Sequence, residues 1–398
     1  MIAIGSQLKS LGFDVVVSIS EPYATLATDA GLETEVIISS QQFHEMVGDP
    51  AVWKTVRGVR RVLRAMSEYF VRPHHLAIKK HHRSGETILV SHPLDFASRA
   101  VREADPTTPL AAVHLQPVLL RNTAAPPRLT PWWFEISKPA WAMKIAFWMA
   151  DHFGLDPVIR PAVNRLRSEY GLPRIRRVLD KWWLSPDRII ALYPEWFAPE
   201  SNTYCPTLRH AGFPLNDLDG TGFDPPPDFP VAFTCGTAQQ HGREFFQRAV
   251  ASCVQLQRPG LLLSSHPDNF PNEIPELVQT CTYVSFRKLL PRCAAIVHHG
   301  GIGTTSQAFA AGIPQVVRPL AFDQFDNATR VERLGCGVWL KQDKKLAASI
   351  ERLISSEWVR SNCQVIKDRC DNAPRGASVA AKEIESVFHN HNRNPVLN

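Results

Sequence analysis

The chain lacks paired cysteines. Cys205, Cys235, Cys253, Cys281, Cys293, Cys336, Cys363 and Cys370 are scattered, and none stands two or three residues from another. That spacing excludes a zinc knuckle or a redox pair and leaves buried free thiols in a reducing compartment as the expectation. Long apolar runs are missing too. Stretches such as Ile145 to Ala150 fall far short of the roughly 20 residues a bilayer-spanning helix needs, and no basic segment followed by an apolar one opens the sequence. A cytoplasmic protein is expected. Internal repeats and low-complexity tracts are absent. The charge excess is small, 44 Lys and Arg against 38 Asp and Glu for a formal +6, which could favour an anionic ligand or lipid surface without demanding nucleic acid.

What is present is a chain of 398 residues, 44% hydrophobic and 21% charged, long enough for two globular domains. Ile2 to Leu11, closed by Gly12, reads as a helix, and Phe13 to Ile19 as a strand. A helix of this kind normally follows a strand, so a first strand and its loop are expected upstream of Met1. Strands at Thr87 to Val90 and Leu110 to Leu115 continue a βαβ rhythm. Between Pro131 and Phe197 stand seven of the ten tryptophans, Trp132, Trp133, Trp141, Trp148, Trp182, Trp183 and Trp196, read as a helical insertion over 131–197 whose rings either fill a core or face an apolar ligand. Residues 216–230, with Gly, Asp and three consecutive prolines, suit a linker. The βα alternation then restarts: Val231 to Thr234, Leu261 to Ser265, Ala294 to Val297 and Gln315 to Val317 as strands, Glu244 to Leu256 and Thr304 to Ala311 as helices. Domains over 1–215 and 231–372 follow, with 373–398 as a terminal helix packing back on the first.

The most informative stretch runs from Ala294 to Asn327. A buried strand ends in His298-His299, Gly300-Gly301-Ile302-Gly303 turns the chain, and Thr304-Thr305-Ser306 open a helix closed by Gly312. Glycines permit close backbone approach, and the first N–H groups of a helix together with its dipole favour an anion, so the layout suits a phosphate. His298 could donate a further hydrogen bond there. A dinucleotide fold places such a turn after the first strand of its domain and an acid about 20 residues on, whereas here it falls late in the second domain. The carboxylate and amide of Asp323-Gln324 share the next strand-end loop and suit sugar hydroxyls, with an N-cap role for Asp323 as the compatible alternative.

These residues resemble the family 1 glycosyltransferases of GT-B fold, which embrace UDP-glycosyltransferases and sterol and macrolide glycosyltransferases. The pattern His298-His299-Gly300-Gly301, Gly312-Ile313-Pro314, Asp323-Gln324 and Asn327 carries the likeness. Gly48-Asp49-Pro50, Ser185-Pro186, the run from Pro194 to Pro199 and Gly212 to Leu215 look most like rhamnolipid-type rhamnosyltransferase B chains. The resemblance implies two Rossmann-like, doubly wound parallel-sheet domains facing a cleft. By position it implies that Tyr283 stacks near the nucleobase and Val284 bonds it through the backbone. His298, Gly300, Gly301, Gly303 and Thr304 would hold the pyrophosphate, Thr237 would reach the donor phosphate or sugar, and Asp323, Gln324 and Asn327 would complete the sugar side. Ser306 stands where many UDP-sugar users carry a ribose-binding glutamate, which points to a thymidine-type donor.

The implied chemistry is inverting transfer of a hexose or deoxyhexose from a UDP- or dTDP-sugar to a hydroxyl of a hydrophobic, lipid-like acceptor, aided by a general base, with no metal or other cofactor. The triplet Asp217-Leu218-Asp219 has a metal-binding form but falls in the linker. The base belongs to a loop expected upstream of Met1; His92 and Asp95, on the loop after a first-domain strand, are the candidates within the chain. Apolar positions from Val52 to Phe70 at helical spacing carry Lys54, Arg57, Arg60, Arg61 and Arg64, and a second basic run holds Arg160, Arg165, Arg167, Arg174, Arg176, Arg177 and Lys181. Basic segments beside aromatics suit an anionic lipid acceptor or the inner face of a membrane, and solvated helix faces equally. Two other readings stay open: a nucleotide-sugar-binding partner that lacks the base, and a nucleotide-sugar epimerase of the same fold.

Overall fold

In the computed structural model the described residues are 1–120, 122, 126–130, 140–199, 207–215, 229–237 and 242–393. The Asp217-Leu218-Asp219 triplet, most of the expected linker, Cys205, Trp132 and Trp133 lie outside them. The chain divides into two compact units. Met1–Pro127, Trp132–Pro214 and Pro374–Asn398 form the first, and Arg128–Pro131 with Leu215–Ala373 the second. Among the described residues no helix is long and apolar enough to cross a membrane.

Twelve described strands follow the chain: β1 (Val16–Ser20), β2 (Glu33–Ile38), β3 (Leu89–Ser91), β4 (Leu110–His114), β5 (Arg188–Ala191) and β6 (Leu208–His210) in the first unit. The second unit holds β7 (Val231–Thr234), β8 (Gly260–Leu263), β9 (Val278–Cys281), β10 (Ala295–His298), β11 (Gln315–Val317) and β12 (Gly337–Trp339). Its six strands form one parallel sheet in the order β12-β11-β10-β7-β8-β9. The central strands, VAFT, GLLL and AIVH, are buried along their whole length, as apolar runs must be when helices cover both faces of a parallel sheet. Chain order reverses between β7 and β10. That topological switch point is where the carboxyl ends of strands splay their loops apart, and it is where ligands of open α/β sheets bind.

In the first unit β3, β4, β5 and β6 form a parallel four-stranded sheet, and β1 pairs only with β2. The parallel α/β architecture is present, yet the described strands divide between two sheets because no described strand pairs β1 with β3. Side-chain alternation along β4 sends Ala111 and Val113 to one face and Leu110 to the other, as the two-residue period of a strand requires. On the first face, Ile4 and Leu8 of the helix Ile2–Ser10 meet Ala380, Ala381 and Ile384 of the helix Gly376–Arg393. Opposite lie Phe96, Val101, Ile159, Val163, Leu166 and Trp183.

The described tryptophans divide between buried and exposed positions. Trp183 is buried, Trp182 lies between the guanidinium groups of Arg99 and Arg167, each 5.4 Å from its ring, and Trp196 packs edge-on against Phe213 at 5.8 Å. Trp141 and Trp148 are exposed.

Because Ile384 is fully buried where the terminal helix meets β4 and β5, Ile384→Ala removes packing that cannot re-form. It is expected to destabilise the first unit by about 2–4 kcal/mol in denaturant unfolding, while thymidine diphosphate binding, a property assigned below to the second unit, stays unchanged.

Candidate functional site

Two loops meet at the switch point of the second unit. After β7 the chain runs through Cys235, Gly236 and Thr237; after β10 it runs through His299, Gly300 and Gly301 into the helix Ile302–Ala311. Gly236 has φ +91, and a Cβ there would lie 2.7 Å from the His299 ring. Gly300 also has φ +91, and its Cβ would meet Val317 at 2.7 Å. Only glycine allows both the left-handed conformation and the approach.

The helix begins without a side-chain cap. Its first internal bond runs from the Thr305 amide to the Gly301 carbonyl at 3.0 Å, and the amides of Gly303 and Thr304 have no acceptor among the described residues. Gly303 is exposed, with open space around the position of a Cβ. Those free N–H groups and the positive end of the dipole make an anion site. Arg318, which follows β11, does not contribute a free cation, because it is bound bidentately to Asp343 at 2.8 and 2.9 Å. The charge offered to an anion here is main-chain charge.

His298 does not point at that anion. Its Nε2 donates to Gln315 Oε1 at 3.0 Å, its Nδ1 accepts from the Gly300 amide at 3.1 Å, and burial drives its pKa down to about 3. Both ring nitrogens are consumed, so the expected phosphate contact from His298 is replaced by a role in shaping the turn. Its neighbour His299 has a buried Nδ1 without a partner, and burial lowers its pKa to about 4. Sequence reasoning passed over this ring; the signal was a second histidine beside glycines that leave it room.

Asn327 and Ser306 also differ from expectation. Asn327 is fully buried, and its Nδ2 donates to the Gly300 carbonyl and to Asp323 Oδ2, both at 2.8 Å. It braces the turn and the carboxylate. Ser306 is buried and returns its hydroxyl to the Gly303 carbonyl at 2.9 Å, so it belongs to the helix. Gln324 spends its carbonyl oxygen on the amides of Leu320 and Ala321, at 2.7 and 3.0 Å, leaving its Nε2 group as the part that can reach a ligand. Asp323 occupies the N-cap position of the helix Gln324–Arg333 but makes no capping bond. Phe322 before it holds φ +56, an unfavourable conformation for a non-glycine residue and one that concentrates at ligand sites. Tyr283 is 40% exposed and Val284 is buried. Thr237 is exposed, and its carbonyl accepts from His266 at 3.3 Å.

In the first unit His92 and Asp95 follow β3, and His114 ends β4, so all three lie at carboxyl ends of parallel strands. Asp95 Oδ1 caps the helix Phe96–Ala104 through the Ala97 and Ser98 amides at 3.1 Å, and accepts from His74 Nδ1 at 2.9 Å. Burial alone would raise the Asp95 carboxyl, but His74 and the Ser98 hydrogen bonds outweigh it and hold it below its ordinary value. Burial alone would lower His74, and the Asp95 charge raises it instead. His74, on the helix Val71–His81, carries no local sequence signal; only the buried carboxylate 21 residues on reveals it. Burial lowers His92 to about 4 and His114 to about 3.

The sheet order, the loops at its switch point and the solved structures together define a GT-B glycosyltransferase fold. A structure titled as the glycotransferase of kitacinnamycin superposes with a TM-score of 0.74 at 18% identity, covering 97% of this chain and 95% of that one. The spinosyn rhamnosyltransferase SpnG complexed with thymidine diphosphate gives 0.66 at 16% identity, over 96% and 95%. Residues 263–386 match the family described as erythromycin biosynthesis protein CIII-like, C-terminal domain. The O-mycaminosyltylonolide 6-deoxyallosyltransferase of Streptomyces fradiae is 26% identical over 368 residues, 84% of this chain and 80% of that protein. The aclacinomycin-T 2-deoxy-L-fucose transferase of Streptomyces galilaeus is 26% identical over 180 residues, 43% of this chain and 41% of that relative's length. The chain thus has the GT-B fold and is similar in sequence to glycosyltransferases of antibiotic biosynthesis.

Burial pushes the Asp323 carboxyl up to about 6 from an ordinary 3.8, against the bond from Asn327. A carboxyl whose folded pKa is raised keeps its proton longer in the native state, so native stability falls as pH rises from about 3.8 to about 6 and stays lower above it. Asp323→Asn is therefore expected to raise the Tm at pH 8 by roughly 2–4 °C or more, with a smaller gain at pH 4, in thermal melts of the full chain.

Proposed function

We propose that this protein transfers a hexose or deoxyhexose, from a UDP- or dTDP-sugar, to a hydroxyl of a hydrophobic acceptor, with inversion and without a metal. The observation that carries the reading is the pair of unoccupied amides, Gly303 and Thr304, beside the unpartnered His299 at the switch point. A diphosphate leaving group gathers negative charge as the glycosidic bond breaks, and preorganised N–H donors stabilise that charge more in the transition state than in the ground state. Tyr283 offers a ring to the base, and Asp323 with the Gln324 Nε2 group receives sugar hydroxyls. Thymidine diphosphate in the SpnG complex supports a nucleoside diphosphate donor of the thymidine type. The likeness of the mid-chain segments to rhamnolipid-type rhamnosyltransferase B chains favours a hydroxylated lipid as acceptor.

Proton removal falls to His74 in this reading. Asp95 holds its Nδ1–H, leaving Nε2 as the basic nitrogen, the arrangement that fixes an imidazole's tautomer and strengthens it as a base. Asp95 thus acts through His74 rather than as the base.

Isothermal titration with thymidine diphosphate and a turnover assay with a dTDP-sugar test the two ends separately. Asp323→Ala should cut transfer by about 10²–10³-fold with diphosphate affinity nearly intact. His74→Gln should cut it by about 10²–10⁴-fold, also without loss of affinity. His74 must be neutral to act, and against burial the Asp95 charge raises its pKa above the ordinary histidine value, so the rate should rise with pH as this ring loses its proton. Asp95→Asn should shift this acid limb to lower pH and reduce its plateau. Wild-type protein that binds neither nucleoside diphosphate would overturn the donor reading, and an unshifted acid limb in Asp95→Asn would overturn the role of the pair.

A further inference from the structure

The first unit carries a feature to which the proposed transfer gives no role. The helix Ala140–Met149 and the π-helical turn Ala150–Leu155 expose Trp141, Ile145, Trp148, Met149 and Phe153, with Trp141 64% and Phe153 68% accessible. Trp141, Ile145 and Trp148 recur at spacings of four and three, which places them on one helical face. Trp148 stacks on His152 at 5.1 Å, and Phe153 packs edge-on against both. Soluble surfaces rarely gather so many large apolar groups without covering them.

Basic side chains predominate near this face, with Glu68 an exposed acid beside them. Asp151 and Asp156, the acids between residues 140 and 165, are both buried, whereas Lys144 and Arg165 are exposed. The helix Thr55–Ala65, which packs against the π-helical turn and against the helix Asp156–Glu169, holds no acid and exposes Arg57, Arg60, Arg61 and Arg64. Arg61 has a partner in Asp49 at 3.6 Å; Arg57, Arg60 and Arg64 have none among the described residues. Arg167, by contrast, is buried on Glu103 and the Pro173 carbonyl and takes no part. Exposed indole and phenyl rings flanked by unpaired guanidinium groups match the interfacial zone of an anionic bilayer, where aromatic rings settle at headgroup depth and cations meet lipid phosphate. A second copy of the same face would bring the arginines against one another, which argues against self-association.

We infer that the Trp141–Phe153 face, with Arg57, Arg60 and Arg64, seats the protein on an anionic lipid surface. The inference is independent of the transfer reading, since none of these residues belongs to the donor loops or to the His74–Asp95 pair.

Flotation of the full chain with phosphatidylglycerol–phosphatidylcholine vesicles, against vesicles of phosphatidylcholine alone, tests it. Wild-type protein should float with the anionic vesicles and little with the neutral ones. Trp141→Ser with Trp148→Ser should abolish flotation, and Arg60→Gln with Arg64→Gln should weaken it about fivefold or more per charge and leave the remainder less sensitive to salt. Thymidine diphosphate titration of each variant reports separately on the donor site and should not change. Absence of wild-type flotation, equal flotation on neutral vesicles, or indifference to the tryptophan substitutions would overturn the proposal. So would a concentration-dependent dimer that the tryptophan substitutions convert to monomer.

Discussion

The glycine turn at the second unit's switch point depends on one imidazole being kept neutral and out of water. His298 sits at the end of β10 with one nitrogen on Gln315 of β11 and the other on the amide of Gly300. A protonated ring could not accept from Gly300, and burial, which lowers its pKa to about 3, removes that form at any physiological pH. The Gly300 carbonyl is tied in turn to Asn327, which also grips Asp323. Two strands and the helix Gln324–Arg333 thus meet in one chain of buried hydrogen bonds, each costly to break singly because its partner would be left unsatisfied. The tightness of that hub is what lets the next residues turn outward, with the Gly303 and Thr304 amides unspent.

How much of this was legible in the residues varies with the range of the interaction. The second unit's sheet was readable because its strands are short apolar runs bounded by Gly and Pro: Val231–Thr234 and Gln315–Val317 lie where the pattern places them, and Ala295–His298 is displaced by one residue. The glycine turn was readable because backbone geometry leaves few alternatives. The roles of side chains within it were not. His298 reads as a phosphate ligand until Gln315, 17 residues away, is seen to occupy its Nε2, and Ser306 reads as a donor-side residue until the helix turns its hydroxyl back on Gly303. In the first unit β2 escaped notice because its sequence, ETEVII, mixes acids with apolar residues, and His74 escaped because its partner lies on a different element. The tryptophan-rich segment was recognisable by composition, but its division into buried and exposed rings depends on which helix faces meet the sheet.

The two units handle charge by opposite means. Around β3 and β4 an ionised carboxylate is sustained in a buried place by an imidazole and by the amides of the helix it caps, so Asp95 stays charged below its ordinary pKa. At the second unit's switch point burial prevails at Asp323 despite bonds from Asn327 and the Ile302 amide, and the nearby Asp326 adds to it. The contrast follows from the neighbouring charge: His74 attracts the ionised Asp95, whereas Asp326 repels an ionised Asp323 and adds to the cost of burial.

That imbalance has a chemical rationale. A carboxyl whose charged form burial disfavours gains from each further donor when hydroxyl groups arrive. The same holds for the free amides of the neighbouring helix, which cost stability when a loop buries them empty and repay it when an anion docks. Phe322, held at φ +56 beside Asp323, adds strain of the same kind. A carboxyl raised by burial, unspent amide donors and strained backbone lie on loops at the carboxyl ends of neighbouring strands, β10 and β11, where a ligand bearing both a diphosphate and hydroxyl groups could engage more than one of them in a single binding event.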